Sequence, residues 1–235
     1  MIKKTDIFHV HTYRCGHAEN VSDEAYIKKA IELGAKGIWF TDHTPFPGDP
    51  FFCRMKYEEL NGYIEELKRL KDLYAEKITV HIGLETEFFS SFDRLGYYKE
   101  LKANPDIELL LLGQHMAALP EGGYSYDLAG DILDEKEYLL LGEALIEGIE
   151  SGYFDIAAHP DRIFRRRNEW DDNMAEMAEM IIRAARNAGM TLEKNISSMN
   201  YKNYFRKEFW DLTENRIETV YGLDAHAVKD LIIVP

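Results

Sequence analysis

Three histidines fall within nine residues near the start of the chain, in the run Asp6-Ile7-Phe8-His9-Val10-His11-Thr12-Tyr13-Arg14-Cys15-Gly16-His17. The residues up to Val10 read as a strand, and side chains two apart on an extended strand share a face, so His9 and His11 can reach one ion. His17 lies beyond the strand in a loop begun by Arg14-Cys15-Gly16, placed to fold back onto a neighbouring ion. A His-x-His pair alone is a weak signal, and what the pair meets decides its meaning.

It meets a series. His43 follows Thr41-Asp42, Glu85 and Glu87 share a face around Thr86, His115 follows Gly113-Gln114, His159 precedes Pro160-Asp161, and Asp224 and His226 flank Ala225. Either glutamate can be the ligand and the other its neighbour. Seven of the eight histidines, with Glu85 and Asp224, lie at or just past the carboxyl ends of the strands read below. In parallel α/β barrels that edge gathers the βα loops into an active site. His81, inside a strand, reads as structural. Nine imidazoles and carboxylates are too many for one tetrahedral ion and fit two or three, with Zn, Mn or Fe suited to the donor set. Ions about 3.5 to 4 Å apart would share a bridging carboxylate and a bridging hydroxide, the arrangement for in-line attack on phosphorus. Hydrolysis of a phosphate ester is the natural chemistry.

The elements that must position these groups follow as short apolar runs alternating with longer amphipathic ones, the pattern of repeated βα units. Strands are expected up to Val10 and over 37–40, 78–84, 107–112, 154–158, 190–194 and 218–222, the apolar fourth suiting a strand buried on both faces. Helices are expected from Ser22 to Leu33, Lys56 to Ala75, Phe92 to Lys102 and Asp134 to Ser151, then along the stripe Met174, Met177, Ala178, Ile181, which is packing. Pro45, Pro47 and Pro50 forbid regular structure after His43. The Gly-rich run Leu119–Tyr124 lacks the strand-to-helix setting of a phosphate cradle and reads as a mobile active-site loop.

With 235 residues and 46% hydrophobic content, the chain suits a single α/β barrel domain over 1–235. A net charge of −14 argues against nucleic-acid partners, so an anionic substrate must be drawn by local cations. Cys15 and Cys53 have no Cys-x-x-Cys spacing, which indicates neither a disulfide framework nor a thiolate zinc knuckle. The N-terminus lacks the apolar core of a signal peptide, and no run reaches the roughly 18 apolar residues of a membrane span. A soluble, cytoplasmic protein is expected; nothing in the sequence speaks to oligomeric state.

The succession His9-x-His11, His17, Thr41-Asp42-His43, Gly83-Leu84-Glu85, Gln114-His115, His159-Pro160-Asp161 and Gly222-Leu223-Asp224-Ala225-His226 resembles the polymerase-and-histidinol-phosphatase (PHP) superfamily over residues 6–226. That resemblance implies a distorted (β/α)7 barrel with a trinuclear site at the C-terminal ends of its strands. It implies that His9, His11, Glu85 and Asp224 hold one ion, Glu85, His115 and His159 a second, and His17, His43 and His226 a third. The spacing is most similar to stand-alone histidinol-phosphate phosphatases. It departs from them at Leu192–Ser198, where Lys194 replaces an apolar residue, and in the near absence of a C-terminal helix after the last motif.

Arg162, nearest the metal-bearing strand end, is a candidate to clamp phosphate with its planar guanidinium, and Arg14 is a weaker one. Arg165, Arg166 and Arg167 more simply form a salt-bridged turn before Trp170-Asp171-Asp172. The reading is therefore a metal-dependent phosphomonoesterase with histidinol phosphate as leading substrate, in which a metal-bridging hydroxide attacks phosphorus and no protein nucleophile is needed. One alternative is a nucleotide or oligonucleotide phosphoesterase. Another is a metal-binding regulatory domain without catalysis.

Overall fold

The structure is a computed structural model that describes residues 2–125 and 131–234, with side chains 131–135 outside that description. Seven strands, β1 (Asp6–Val10), β2 (Gly37–His43), β3 (Thr79–Thr86), β4 (Leu109–Leu112), β5 (Ile156–Ala157), β6 (Thr191–Asn195) and β7 (Thr219–Gly222), form one sheet in chain order. Between them run α1 (Asp23–Glu32), α2 (Leu60–Leu73), α3 (Ser90–Asp93), α4 (Tyr97–Ala103), α5 (Asp131–Ser151), α6 (Asp172–Ala188) and α7 (Lys207–Thr213). This is the (β/α)7 succession the sequence predicts. No described helix is long and apolar enough to cross a membrane.

The residues fall into two compact units. The first comprises Met1–Glu85, Asn104–Leu110 and Tyr221–Pro235. In it β1 pairs parallel with β2, and β2 with β3 in unbroken register from Gly37↔Thr79 to His43↔Glu85. The segment after β7 lies along β1: Leu223 N–H donates to Phe8 O at 2.9 Å, Ala225 N–H to His9 O at 3.0 Å, and His11 N–H to Ala225 O at 2.9 Å. Every residue of β2 is buried, as expected of a strand covered on both faces. The helices cover it through single stripes, Tyr26, Ile27 and Ala30 on α1 and Tyr63, Ile64, Leu67 and Leu70 on α2.

The second unit comprises Thr86–Ala103 and Leu111–Val220. Here β4 pairs with β5, and β5 with β6, again in parallel. α6 buries Met174, Met177, Ala178, Ile181 and Ile182, so the methionine stripe is core, each large side chain worth about 1.5 to 3 kcal/mol of burial. Asp171 caps that helix by accepting from Met174 N–H at 2.9 Å.

The structure corrects the sequence reading in three places. The helix expected over 92–102 is two short helices parted at Gly96, whose φ of 79° ends the first turn. α7 is absent from the sequence expectation, since it is short and carries the aromatics Phe209 and Trp210 in one apolar turn that periodicity over seven residues does not reveal. Strand β1 is not regularly extended: His9 adopts φ 68° and the register with β2 shifts between Ile7 and Val10.

Candidate metal centre

Within the first unit, seven of the nine residues singled out in the sequence come together. The bulge at His9 alters how β1 delivers its pair, because a left-handed residue breaks the strict alternation on which the i, i+2 argument rests. The rings of His9 and His11 are nonetheless neighbours, with centroids 5.0 Å apart. After them Thr12 caps a short turn, Tyr13–Cys15, and Gly16 at φ 80° reverses the chain. That reversal returns His17 to ring contact with His43 at 5.3 Å and His226 at 4.6 Å. His43 and Glu85 end adjacent strands at paired register positions. Asp224 and His226 are carried on the segment that follows β7, with Asp224 at φ 54°. Non-glycine residues held at positive φ cost of order 1 to 3 kcal/mol each, a strain that tends to be retained at functional sites.

One oxygen organises the group. Glu85 Oε2 lies 3.5 Å from His9 Nε2, 3.5 Å from His11 Nε2 and 3.1 Å from His43 Nδ1. Asp224 Oδ1 lies 3.2 Å from His11 Nε2, 3.8 Å from His9 Nε2 and 3.5 Å from His226 Nδ1. His9, His11 and Glu85 are completely buried. Yet neither ring nitrogen of His11 makes a hydrogen bond, and neither does His226 Nε2. Buried polar nitrogens left this way normally cost a few kcal/mol, so donors converging on one point without hydrogen-bond geometry fit a cation between them. Within this unit the triplets His9-His11-Asp224, His11-His43-Glu85 and His17-His43-His226 each offer ligand atoms within 4.8 Å of one another. Imidazole and carboxylate oxygen suit Zn, Mn or Fe.

The electrostatics agree. Burial alone would strip His11 of its proton, but Asp224, Asp42 and Glu85 outweigh it and raise the pKa to about 9. His226, stacked on His11 at 4.2 Å, is pushed down to about 3 by burial and by the charge of His11. Three carboxylates thus crowd His11, and a divalent cation bound in place of the imidazole proton would balance their charge.

Behind His11 is a buried scaffold built on two carboxylates, Asp42 and Asp23, to which the sequence reading assigns no role. Asp42, fully buried, lies 3.5 Å from His11 Nδ1, accepts the His43 backbone N–H at 2.8 Å, and accepts the hydroxyl of Thr12. Despite burial, His11 and Thr12 hold its carboxyl below the usual range. Arg14 then donates to Thr12 Oγ1 at 3.2 Å and to both oxygens of Asp23 at 3.0 and 2.9 Å. Arg14, read as a possible phosphate ligand, is thereby the outer strut of this scaffold. The Thr41-Asp42-His43 run is the only sequence signal for Asp42, since its partners are tertiary.

In the second unit, His115 and His159 have ring centroids 5.0 Å apart, and His159 turns sharply out of β5 at φ 32°. His115 Nδ1 pairs with Glu87 Oε1 at 3.0 Å, and His159 N–H donates to the buried Glu193 at 3.1 Å. The Glu87 contact fixes the His115 ring, as carboxylates behind imidazoles do, whereas the Glu193 contact holds the His159 backbone. Arg162 donates from Nε and Nη2 to Ser198 Oγ at 3.1 and 2.8 Å, and from Nη2 to Asn195 Oδ1 at 3.1 Å. Arg165 and Arg166 both pair with buried Glu137, and Arg167 with Asp171, the salt-bridged turn expected there. The Gly-rich run 119–124 is a tight turn, with Leu119 N–H on Gly123 O at 3.0 Å and Tyr124 bridging to Ala118.

Residues 8–197 match the PHP domain family. The chain is 23% identical over 254 residues to the histidinol-phosphatase of Bacillus subtilis, the match covering 95% of this chain and 94% of that one. A Deinococcus radiodurans protein named "Probable histidinol-phosphatase" is 31% identical over 162 residues, which span 65% of this chain and only 59% of the relative. Among solved structures, the histidinol phosphate phosphatase of Lactococcus lactis, in complex with zinc, L-histidinol and phosphate, superposes with a TM-score of 0.73 at 19% identity, covering 96% of this chain and 87% of that one. At that identity the superposition establishes a common fold.

Proposed function

The chain belongs to the PHP domain family, and from that membership and the site's geometry we propose that it hydrolyses a small phosphate monoester, with histidinol phosphate as the leading substrate. The observation that carries the proposal is the position of Glu85 Oε2, 3.1 to 3.5 Å from three imidazole nitrogens in a buried site. On this reading His9, His11, His17, His43, Glu85, Asp224 and His226 hold divalent ions, and His115 and His159 complete the set that the family resemblance implies. Such ions, when bound, supply Lewis acidity toward phosphoryl oxygens and lower the pKa of water, which makes a protein nucleophile unnecessary.

The chain's own residues do the positioning. Asp42 orients His11, and Thr12 and Arg14 fix Asp42. Arg162 is the residue we assign to the substrate phosphate, because it lies three residues after His159 and Ser198 and Asn195 already orient its planar donors. Arg14 is the lesser candidate, its guanidinium being committed to Asp23. A cytoplasmic setting is part of the same proposal.

The test is to assay metal-loaded protein against histidinol phosphate, small nucleotides and short oligonucleotides. The highest kcat/KM is expected with histidinol phosphate. Preference for nucleotides would move the assignment to a nucleotide phosphoesterase, and stoichiometric metal without hydrolysis of any of them would favour a regulatory metal-binding domain.

A further inference from the structure

Cys15 is one of two cysteines in the chain, and in the sequence it carries no signal because it has no cysteine partner at ligand spacing. Its place in the fold gives it another relevance. It is completely buried, at the end of the turn that separates His11 from His17. Buried free cysteines commonly act as small apolar side chains, so what distinguishes this one is its neighbours. Here the ring nitrogens of His11 and His226 and the sulfur of Cys15 all lie within 4.8 Å of one another. His11 is fully buried and neither of its ring nitrogens makes a hydrogen bond, so an unsatisfied donor set shares this space with the thiol.

We propose that Cys15 Sγ is a further ligand of the metal centre, acting with His11 and His226. The inference rests on the metal centre assigned above and adds a donor of a different kind to it. The triplet His17, His43 and His226 offers imidazole nitrogen alone, and a thiolate reaching an ion that His226 also reaches brings it a negative charge and a soft donor. Binding exchanges the thiol proton for the ion and releases that proton to solvent. Since thiolate favours zinc and cobalt over manganese, the sulfur would bias this part of the centre toward the softer ions.

The experiment uses full-length Cys53→Ser protein, in which Cys15 is the sole cysteine, stripped of metal and reconstituted with cobalt(II). Cobalt per chain and the near-ultraviolet absorption are then measured together. A thiolate-to-cobalt charge-transfer band is expected, and it should disappear in the Cys15→Ser, Cys53→Ser double variant. The double variant should also lose about tenfold or more in its preference for zinc over manganese. Two or three cobalt ions per chain without the band would overturn the ligand role of Cys15 and leave the metal centre standing. Less than one ion per chain would overturn both. A band that persists in the double variant would assign the sulfur signal elsewhere and overturn the proposal. Should the double variant fail to fold, the spectrum of the Cys53→Ser protein decides alone.

Discussion

His81 and His11 are both histidines of the first unit, each facing carboxylates, and they sit in opposite circumstances. The ring of His81 stacks on Trp39 at 3.8 Å with an interplanar angle of 6°, and its Nδ1 bonds Glu108 at 2.7 Å. Glu108 is in turn held by Lys71 at 2.8 Å, and the His81 side chain keeps 20% of its surface exposed. Every demand of that imidazole is met by its neighbours or by water. His11 is sealed from water and stands 3.2 to 3.5 Å from three carboxylates, with neither ring nitrogen in good hydrogen-bond geometry. The difference is one of charge balance: a histidine matched by one shared carboxylate holds a fold together, and one buried among three calls for more positive charge than its own ring carries.

The largest test of that contrast is removal of divalent ions. Chelation should abolish phosphatase activity and lower Tm, since a ligand held a thousandfold above its Kd contributes about 4 kcal/mol, roughly 8 to 16 °C for a chain of this size. Differential scanning with and without added zinc or manganese measures it. Unchanged Tm and activity would place His11 in the same class as His81.

Next in size is the exchange of carboxylates for amides. Glu85→Gln keeps the shape but loses the charge with which one carboxylate can serve two ions, so it should lose bound metal and about 100-fold or more in kcat/KM. Glu108→Gln should stay within about twofold, and Glu87→Gln should fall between. Greater damage at Glu87 than at Glu85 would mean that the wrong carboxylate at the end of strand β3 has been given the metal.

Asp42→Asn tests the scaffold behind His11. Substitutions of carboxylates that orient ligand histidines cost about 10- to 100-fold in metal affinity, and that range is expected from a zinc titration of this variant. Arg162→Ala should leave metal content intact and lower kcat/KM by roughly 10- to 150-fold for every phosphomonoester, with Arg162→Lys rescuing in part. Wild-type kinetics in Arg162→Ala would confine this arginine to its contacts with Ser198 and Asn195.

The smallest effect belongs to the satisfied histidine. Although partial burial opposes it, hydrogen bonds from Lys71 and His81 hold the Glu108 carboxyl below its ordinary range. A folded pKa below the unfolded one stabilises the protein above the unfolded value, near 4.5, and that contribution is lost as pH falls through the folded pKa. His81→Gln should reduce this acid-side slope in urea titrations by less than about 1 kcal/mol and leave metal content unchanged.

Much of the fold and site is legible in the chain because the grammar is local. A short apolar run followed by His, Glu or Asp marks a strand end, and the repetition of that phrase is enough by itself to put His43, Glu85 and Asp224 at strand ends. The rest depends on contacts between residues distant in sequence. That Arg14 is claimed by Asp23, that Asp42 stands behind His11, and that Cys15 approaches His226 follow from the apposition of β1, β2 and the segment after β7. The bulge at His9 is hidden for a related reason, since a histidine between Phe8 and Val10 signals positive φ too weakly to be read and the surrounding structure imposes it.

The central claim is that the buried imidazoles and carboxylates are a metal centre, and elemental analysis tests it most directly. Protein reconstituted with excess zinc or manganese and then desalted should carry two or three ions per chain, with at least one lost in Glu85→Gln and none in His81→Gln. Less than one ion per chain in the reconstituted wild type would contradict the account.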